Sequence, residues 1–442
     1  MDTDKRLKSL LGRLSAARPR LLELDRYWAG NQPAAFMSDK SREALGNRLQ
    51  SMCVNFPRLA VTSVAERLDV TGFRTAGSEK TDAGLWEVWR RNRMLDGSAQ
   101  AHLDALVYGR SYAVVWADGA GRPTITVESP LQVFASHDPV NRQVTAAVKR
   151  WVDEDETSHA VLYLPDRIEH LTGPRVVADA VFPDKGFTVA ETTPNPLGVV
   201  PVVPIINRGR LLDTNGLSEM RDVLGLADAL NKIMADALVT SEAYARPKRW
   251  VTGLEIVEDD DGNPVDPFNN DAGKVWQSES PETRFGQFEG ADLRGYSEVA
   301  QLITQQIGAL TGLPPHYLGL HGSEPASSDA IYAAEASLVS HALELQRTFG
   351  TAWEDVMRLV TAVRDGVDPL SLDVEAVWGN AQTRTPAAAA DAAAKLAGIG
   401  VPLASLLEDQ LGYTPAQAER IMGAVAADRV TAQGLDLSRL LQ

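Results

Sequence analysis

At the centre of the predicted fold lies the stretch Ala309-Leu310-Thr311-Gly312-Leu313-Pro314-Pro315-His316-Tyr317-Leu318-Gly319. Gly312 suits the left-handed conformation that ends many helices. Pro314 and Pro315 cannot continue a helix, because proline lacks a backbone N–H and restricts the residue before it. We therefore predict that a helix ends here and that Gly312, Pro314 and Pro315 form a hinge.

Helical patterns flank this hinge on both sides. Upstream, apolar side chains recur at three- and four-residue steps, as on one face of a helix, at Tyr296, Val299, Ile303, Ile307 and Leu310. Downstream, a polar loop leads to Ser327 or Ser328, either of which suits an N-cap. A second, much longer helix is predicted to follow, with one apolar face at Ile331, Ala334, Leu338, Ala342, Leu345, Phe349, Trp353, Val356, Val360 and Val363. Gly350 interrupts this pattern.

The composition is that of a globular protein that folds in a reducing compartment. The chain has 442 residues, 44% of them hydrophobic, which predicts a sizeable core and about two to four substructures. Cys53 is the only cysteine, and a lone cysteine is more often a small buried hydrophobe than a nucleophile. No apolar run is long enough for a membrane span, and the amphipathic N-terminus does not resemble a signal peptide. The formal net charge of −16 argues against diffuse attraction to nucleic acid.

The N-terminal part of the chain has the periodicity of helices. One helix is expected on the leucine face that begins at Leu7, and a second helix is expected to start at Pro19, which suits a first turn. Further helical patterns cover residues 38–50, 57–69, 81–93 and 96–108. Trp86 and Trp89, three residues apart in the third of these, are expected in the core.

After Gly109 the periodicity changes to that of strands. Residues 111–116 and 124–127 flank a turn-rich stretch and predict a β-hairpin. Short strands are also expected near 131–135, 144–151, 159–164 and 187–191, so this region is an α+β domain. The proline-rich run 193–204 must be extended, because its prolines forbid a helix.

The middle of the chain alternates helix, insertion and helix. Ser218 is expected to cap a helix that continues to about Tyr244 and ends before Pro247. An insertion follows, with a strand-like segment at 250–257 and an acidic turn, before a helix opens near Arg294. Alanine-rich helices are predicted to close the chain, at 387–397, after Pro402 and at 416–425.

The sequence contains none of the usual catalytic or metal-binding motifs. The phosphate-cradling loop, the nucleophile elbow and the zinc-protease helix are all missing. His316 and His321 have no further metal ligand in range. The acidic turn that starts at Asp259 opens like a calcium loop, but it has Pro264 and Asn270 where that loop needs glycine and glutamate. We therefore expect no enzyme activity, no metal and no cofactor.

A basic cluster stands at the end of the helix that precedes the insertion. It consists of Arg246, Lys248 and Arg249 beside Trp250. These side chains could contact phosphates or the acidic groups of a partner. They could equally be an ordinary solvated helix end whose positive charge complements the helix dipole.

The order of these elements, together with several short motifs, resembles the portal proteins of tailed bacteriophages, in the branch common among siphophages of actinobacteria. The motifs that carry the resemblance are residues 24–33 (Leu-Asp-Arg-Tyr-Trp-Ala-Gly-Asn-Gln-Pro), 54–59 (Val-Asn-Phe-Pro-Arg-Leu), 65–68 (Ala-Glu-Arg-Leu), 105–112 (Ala-Leu-Val-Tyr-Gly-Arg-Ser-Tyr), 229–232 (Ala-Leu-Asn-Lys), 245–250 (Ala-Arg-Pro-Lys-Arg-Trp), 310–319 (Leu-Thr-Gly-Leu-Pro-Pro-His-Tyr-Leu-Gly) and 333–336 (Ala-Ala-Glu-Ala). They span nearly the whole chain.

The resemblance implies a mainly helical α+β portal fold, assembled as a ring of usually 12 subunits around a tunnel for double-stranded DNA. In this chain it implies a wing at 1–217, a first stem helix at 218–245, a clip at 246–292, a second stem helix at 293–315, a tunnel loop at 316–328, a long kinked wing helix at 329–366, and a connector with a helical crown at 367–442. The resemblance also implies that the long helix bends at Gly350, and it assigns Arg246, Lys248, Arg249 and Trp250 to the clip.

The resemblance also implies a site in the virion and a set of partners. The ring would occupy one capsid vertex after assembly in the host cytoplasm, among major capsid and scaffolding proteins and away from any membrane. The terminase large subunit would dock on the clip during packaging, and a head-completion or adaptor protein would later replace it. A non-portal adaptor or scaffold that assembles through helical surfaces is the alternative, and a hydrolase whose site no motif marks is a third possibility.

The tunnel loop is the part expected to face DNA. Within it, the residues expected to face DNA are Leu320, His321, Gly322, Ser323, Glu324 and Pro325. This loop has an acid and no Lys or Arg, whereas a basic grip would add affinity by releasing counterions from the phosphates. We therefore expect DNA to pass through without tight binding and to meet the loop as a low-friction steric contact.

Overall fold

The computed structural model describes residues 3–33, 53–75, 78, 81–176, 181–244, 249–253, 280–287, 292–320, 328–382 and 386–440. Its helices are α1 Thr3–Ala29, α2 Phe56–Ala65, α3 Ala83–Arg91, α4 Met94–Tyr108, α5 Leu224–Tyr244, α6 Arg294–Thr311, α7 Ser328–Asp365, α8 Pro386–Gly398, α9 Leu403–Ser405 and α10 Pro415–Leu440. Its strands are β1 Val70–Thr75, β2 Arg110–Ala117, β3 Pro123–Glu128, β4 Val133–His137, β5 Val144–Val152, β6 Thr157–Tyr163, β7 Arg167–Arg175, β8 Thr188–Pro194, β9 Val202–Ile206, β10 Arg249–Thr252, β11 Arg284–Gln287 and β12 Val374–Trp378. The predicted α+β class is confirmed.

The chain divides into two compact units. The large unit comprises 1–32, 55–227 and 307–442, and the small unit comprises 33–54 and 228–306. Helices α5 and α6 each begin in one unit and end in the other.

A five-stranded antiparallel sheet, in the order β4-β5-β6-β7-β8, forms the centre of the large unit. Helix α1 packs on one face, where Leu7, Leu10 and Leu14 join Val148 and Leu162 in a buried cluster. The prediction of two helices here is wrong, because α1 runs unbroken through Pro19. An interior proline costs about 3 kcal/mol. Burial of the leucines that α1 carries on both sides of Pro19 offsets that cost, at roughly 1.5–3 kcal/mol for each buried side chain.

The other face of this sheet packs on a three-stranded sheet in the order β3-β2-β9. Tyr112 and Val114 of β2 lie there among Val133, Ala147 and Val161. The predicted hairpin is confirmed as β2 and β3, joined by a turn in which the Asp118 carboxylate accepts from two backbone N–H groups. The predicted strands near 131–135, 144–151, 159–164 and 187–191 are β4, β5, β6 and β8. Strands β1, β7, β11 and β12 were not predicted. The proline-rich run is extended only in part: β8 ends in it at Pro194 and β9 begins in it at Val202, but a turn at 196–199 separates them, where Gly198 has a φ of +67°.

An aromatic core lies where α3, α4 and α7 meet the β1–β12 ribbon. The Trp89 ring centroid lies 5.1 Å from that of Phe73 and 5.1 Å from that of Trp353. Trp89 is fully buried, as expected, whereas Trp86 is half-buried. The predicted helices at 57–69, 81–93 and 96–108 are confirmed as α2, α3 and α4, and the one at 38–50 lies outside the described residues.

The helix predicted from Ser218 begins later, at Leu224. The Ser218 hydroxyl accepts from the Met220 N–H 3.2 Å away, so this serine closes a turn and does not cap the helix. In the small unit, the Val54 N–H donates to Asn231 Oδ1 at 2.8 Å, and Thr240 Oγ1 lies 3.2 Å from Tyr296 Oη. Strands β10 and β11 of the insertion pair antiparallel.

The C-terminal helices begin where proline predicts them. Helix α8 starts at Pro386, α9 follows Pro402, and α10 starts at Pro415. Helix α10 continues to Leu440, beyond the predicted end near residue 425.

Candidate functional site

The stretch between α6 and α7 breaks the helix as its sequence predicts. Helix α6 ends at Thr311, and Gly312 follows with a φ of +68°. Residues Pro315–Leu318 form one 3₁₀ turn, which Gly319 ends with a φ of +71°. Left-handed backbone is easiest for glycine, so both glycines suit their positions. We call residues 312–319 the joint.

Close packing fixes the joint in place. A Cβ added to Gly308 would stand 2.5 Å from Leu318 Cδ1, and one added to Gly312 would stand 2.7 Å from Ser337 Oγ. A side chain at either position would displace the Leu318 methyl group or the Ser337 hydroxyl. The joint is therefore seated on the end of α6 and on the early turns of α7, and does not stand free.

A buried ion pair lies beneath the joint. Arg67, just after α2, has its Nη2 3.6 Å from Glu335 Oε2 of α7, and the two side chains are only 7% and 9% exposed. The same Nη2 donates to the Tyr317 hydroxyl at 3.1 Å, and Nη1 donates to the Ser63 carbonyl at 2.8 Å. His316 Nε2 lies 3.7 Å from Glu335 Oε1. Three parts of the chain, at α2, the joint and α7, thus meet at one carboxylate. We call this set the Arg67–Glu335 anchor.

A second polar contact fixes α7 farther along. His102 of α4 is fully buried, with Nδ1 3.1 Å from the Leu68 carbonyl and Nε2 accepting from Trp353 Nε1 at 2.7 Å. The ring therefore carries its proton on Nδ1. Burial lowers the pKa of His102 to about 3, although the bond to Leu68 acts in the opposite direction. The imidazole is thus a neutral structural group at ordinary pH.

Helix α7 continues through Gly350 without a break in its hydrogen bonding. A Cβ at Gly350 would stand 3.1 Å from Trp378 Nε1, so the close approach of β12 accounts for the glycine. Gln346, one turn earlier, donates from Nε2 to the carbonyls of Arg67 and Gly379, at 2.9 and 3.0 Å.

Most of the predicted DNA-facing loop lies outside the described residues. Leu320 is half-buried, and its N–H donates to the Pro315 carbonyl at 3.0 Å, while His321, Gly322, Ser323, Glu324 and Pro325 fall in the undescribed range. Of the predicted hinge residues, Gly312, Pro314 and Pro315 lie in the joint. Gly350 does not, because it lies well along α7.

The predicted clip cluster is described only in part. Arg246 and Lys248 lie outside the described residues, as does the acidic turn at 259–270. Arg249 opens β10. Trp250 is 39% exposed, and its ring covers Gly286 of β11, where an added Cβ would stand 2.4 Å from the indole.

Across the described ranges, no three His, Cys, Asp or Glu side chains are grouped so that they could hold a metal ion. Among the described helices, none combines the length and apolar character that a bilayer crossing requires. Cys53 is half-buried, and its Sγ accepts from Asn231 Nδ2 at 3.6 Å.

The residues that hold the joint were not predicted as site residues. Arg67, Tyr317 and Glu335 nevertheless lie in three of the short motifs quoted above, at 65–68, 310–319 and 333–336. The motifs at 54–59 and 105–112 likewise contact the motif at 24–33 through hydrogen bonds. Asn55 Nδ2 donates to the Trp28 carbonyl at 3.0 Å, and the Tyr108 hydroxyl donates to Asp25 at 2.9 Å. The sequence signal was the single acid, Glu335, in the otherwise apolar motif at 333–336.

Comparison with known families gives the class of protein. A family model described as "Phage portal protein, SPP1 Gp6-like" matches residues 7–421, so the chain belongs to the phage portal protein family. The portal function predicted from the sequence is thereby confirmed.

Individual relatives come from mycobacteriophages. The chain is 36% identical over 366 residues to the portal protein of Mycobacterium phage L5, across 78% of this chain and 73% of that one. It is 33% identical over 417 residues to the portal protein of Mycobacterium phage D29, across 87% and 82%.

Similar solved structures come from gene transfer agent particles. One is a chain of the virion of a native particle, with a TM-score of 0.48 and 16% identity over 86% of this chain and 89% of that one. Another is a chain of the neck of an empty particle, with a TM-score of 0.49 and 14% identity over 84% and 92%.

Proposed function

We propose that this portal protein assembles head-to-tail into a closed ring, usually of 12 subunits, at one vertex of the phage capsid. Double-stranded DNA enters and leaves the head through the central tunnel. The observation that carries the proposal is the family match over residues 7–421. Head-to-tail contacts build a ring when the rotation between copies divides a full turn. The ring is a structural conduit with no catalytic step and no cofactor of its own.

The domain assignment follows the order of the elements. In this proposal α5 and α6 are the stem helices, the insertion with β10 and β11 is the clip, and α7 is the long wing helix. Residues 1–217 are the wing, and the helices after residue 367 form the connector and crown. The described element order matches this assignment: one hairpin between two long helices, followed by a third.

The Arg67–Glu335 anchor is proposed to hold the tunnel loop at a fixed place in each subunit. The loop follows the joint and precedes α7, and the anchor ties the joint and α7 to the end of α2. Breaking a buried ion pair leaves an uncompensated charge, so the anchor resists separation of these parts. Force on the loop would thus be transmitted to the wing. The Pro314–Pro315 segment would form a rigid bend in the chain.

DNA is proposed to slide through the ring without binding tightly. The net charge of −16 and the acidic tunnel loop give phosphates no basic surface to neutralise along that loop. Contact between loop and DNA would be steric, and the loop would gate the passage by its position.

The clip is proposed to receive the terminase large subunit during packaging and a head-completion or adaptor protein afterwards. The exposed indole of Trp250 on the β10–β11 hairpin supports this role, because aromatic side chains are enriched at the centres of protein interfaces. Major capsid and scaffolding proteins would surround the wing during assembly in the host cytoplasm.

Complementation of a phage that lacks its own portal gene tests the proposal. Deletion of residues 322–326 should leave ring and prohead assembly intact and reduce packaged or retained DNA, measured as DNA per particle. Glu335→Gln should reduce it too, whereas the control Glu344→Gln, at an exposed position of the same helix, should not. Normal DNA content with the deletion would overturn the gating role.

A further inference from the structure

Two leucines stand in solvent at the tip of the loop between β9 and α5. Leu211 is 78% exposed and Leu212 is 100% exposed. Arg210 and Asp213 bridge beneath them, with the Asp213 N–H donating to the Arg210 carbonyl at 3.0 Å. We call Leu211 and Leu212 the leucine knob. Contiguous exposed apolar surface can mark an interaction site, whereas singly scattered apolar side chains are normal on a protein surface.

The base of the knob loop is rigid. Gly216 has a φ of +70°, and a Cβ there would stand 2.1 Å from the Gly109 carbonyl oxygen. Asn207 Nδ2 donates to the Leu217 carbonyl across the base at 2.8 Å. Because the loop is already ordered, the knob would lose little conformational freedom on binding a partner.

One side of α7 holds this loop. Arg208 Nη2 lies 3.0 Å from Glu219 Oε1, whose side chain is buried, and 3.2 Å from His341 Nε2 of α7. The knob therefore projects from a base fixed to the His341 side of the helix.

The opposite side of α7 carries a groove. Leu343 lies two residues after His341, which is roughly 200° around a helix of 3.6 residues per turn. Leu343 is 46% exposed and lines, with Gly350 and Trp378, a groove of about 540 Å³ between α7 and β12. At Gly350 the backbone of α7 lies directly against the Trp378 indole, because no side chain separates them.

The rim of the groove carries a net negative charge, which is complementary to the positive charge of Arg210 beside the knob. Glu354 and Glu375 line it together with one cation, Arg347. Within the described residues neither glutamate forms an ion pair, and neither does the exposed Arg210 beside the knob. The groove thus has a net negative rim, and the knob carries an exposed arginine at its side that pairs with no acid among the described residues.

We propose that the leucine knob of one copy inserts into the α7–β12 groove of the neighbouring copy in the ring. Knob and groove lie on opposite sides of one helix, as a head-to-tail contact requires. Arg210 would face Glu354 and Glu375 of the neighbour. The inference rests on the proposed ring and adds the surfaces through which the copies meet.

Cysteine cross-linking tests the contact in assembled rings. With Cys53→Ser as background, the double variant Leu212→Cys/Leu343→Cys should give, on mild oxidation, a covalent ladder that extends to the ring size. Each single variant should stay monomeric on a denaturing gel. Dimers from the Leu212→Cys single variant would show a knob-to-knob contact and overturn the proposal. Rings without a ladder would also overturn it and leave the proposed portal ring standing.

A charge placed on the knob gives a second test. Leu212→Asp should cut the ring fraction at least tenfold in light scattering after size exclusion, with circular dichroism unchanged. The matched control is Val140→Asp, at a 91% exposed valine on another loop, which should assemble as the unaltered chain does. Normal assembly of Leu212→Asp would contradict the proposal. If the unaltered chain forms no ring at all, the proposed function fails together with this contact.

Discussion

The stability of this protein should depend on pH through His102, whose ring is enclosed by α4 and α7. Its Nδ1–H donates to the Leu68 carbonyl and its Nε2 accepts from Trp353, so protonation would destroy the second bond and bury a charge. Burial lowers the pKa of His102 to about 3, from 6.5 in an unfolded chain. As pH falls below 6.5, His102 becomes protonated in the unfolded state but stays neutral in the folded state. The free energy of unfolding therefore falls between pH 6.5 and pH 3.

The size of this effect follows from the gap between the two pKa values. Each pH unit below 6.5 costs about 1.4 kcal/mol, until the folded-state pKa is reached. Between pH 7.5 and pH 5.5, where most carboxylates stay ionised, the loss is about 1.4 kcal/mol.

Urea unfolding at pH 7.5 and pH 5.5, at one protein concentration, measures the loss. His102→Gln keeps a donor for Leu68 and an acceptor for Trp353 but cannot titrate, so its pH dependence should be smaller than that of the unaltered chain by that amount. His170→Gln, at an exposed position, controls for the loss of a histidine as such. An unchanged pH dependence in His102→Gln would refute the assignment of a buried neutral imidazole.

Four substitutions test the packing of side chains and backbone in the large unit. Glu335→Gln leaves the Arg67 guanidinium buried without its carboxylate and should destabilise the fold by about 3–5 kcal/mol in urea unfolding. Gly350→Val should lower the thermal midpoint because Trp378 stands in the way, whereas Gly225→Ala, a helix position with open space around it, should stabilise by about 0.5–1 kcal/mol. Gly216→Ala should abolish soluble expression, because its Cβ would collide with backbone; normal expression would mean that the loop base can move.

The elements that were predicted correctly are those fixed by residues close together in the chain. The end of α6 follows from Gly312 and the two prolines, and the β2–β3 hairpin follows from its turn residues. The start of α8 at Pro386 is of the same kind. In each case the responsible groups lie within a few residues of one another.

Long-range pairing was the part that the sequence could not show. Thr71 Oγ1 of β1 donates to the Val377 carbonyl of β12, 306 residues farther along the chain. The residue pattern of neither strand indicates which strand it pairs with. The break expected at Pro19 failed for a related reason, since burial of leucines on both sides of it decides that helix. Tertiary packing overrides a local preference of a few kcal/mol.

Only one of the two parts of the candidate site was predicted from the sequence. The joint was predicted from its own residues, but the Arg67–Glu335 anchor was not, although both charges lie in the short motifs at 65–68 and 333–336. Glu335 stands alone among alanines, which favours burial, and buried charges are normally paired. Arg67 follows Glu66 directly, so the sequence gives no sign that its partner is an acid far along the chain.

Imaging of the purified, full-length chain tests the central claim most directly. Two-dimensional class averages from cryo-electron microscopy should show closed rings with a central hole and one rotational symmetry, twelvefold being expected. Monomers at micromolar concentration, or open helical filaments, would contradict assembly of this chain into a portal ring.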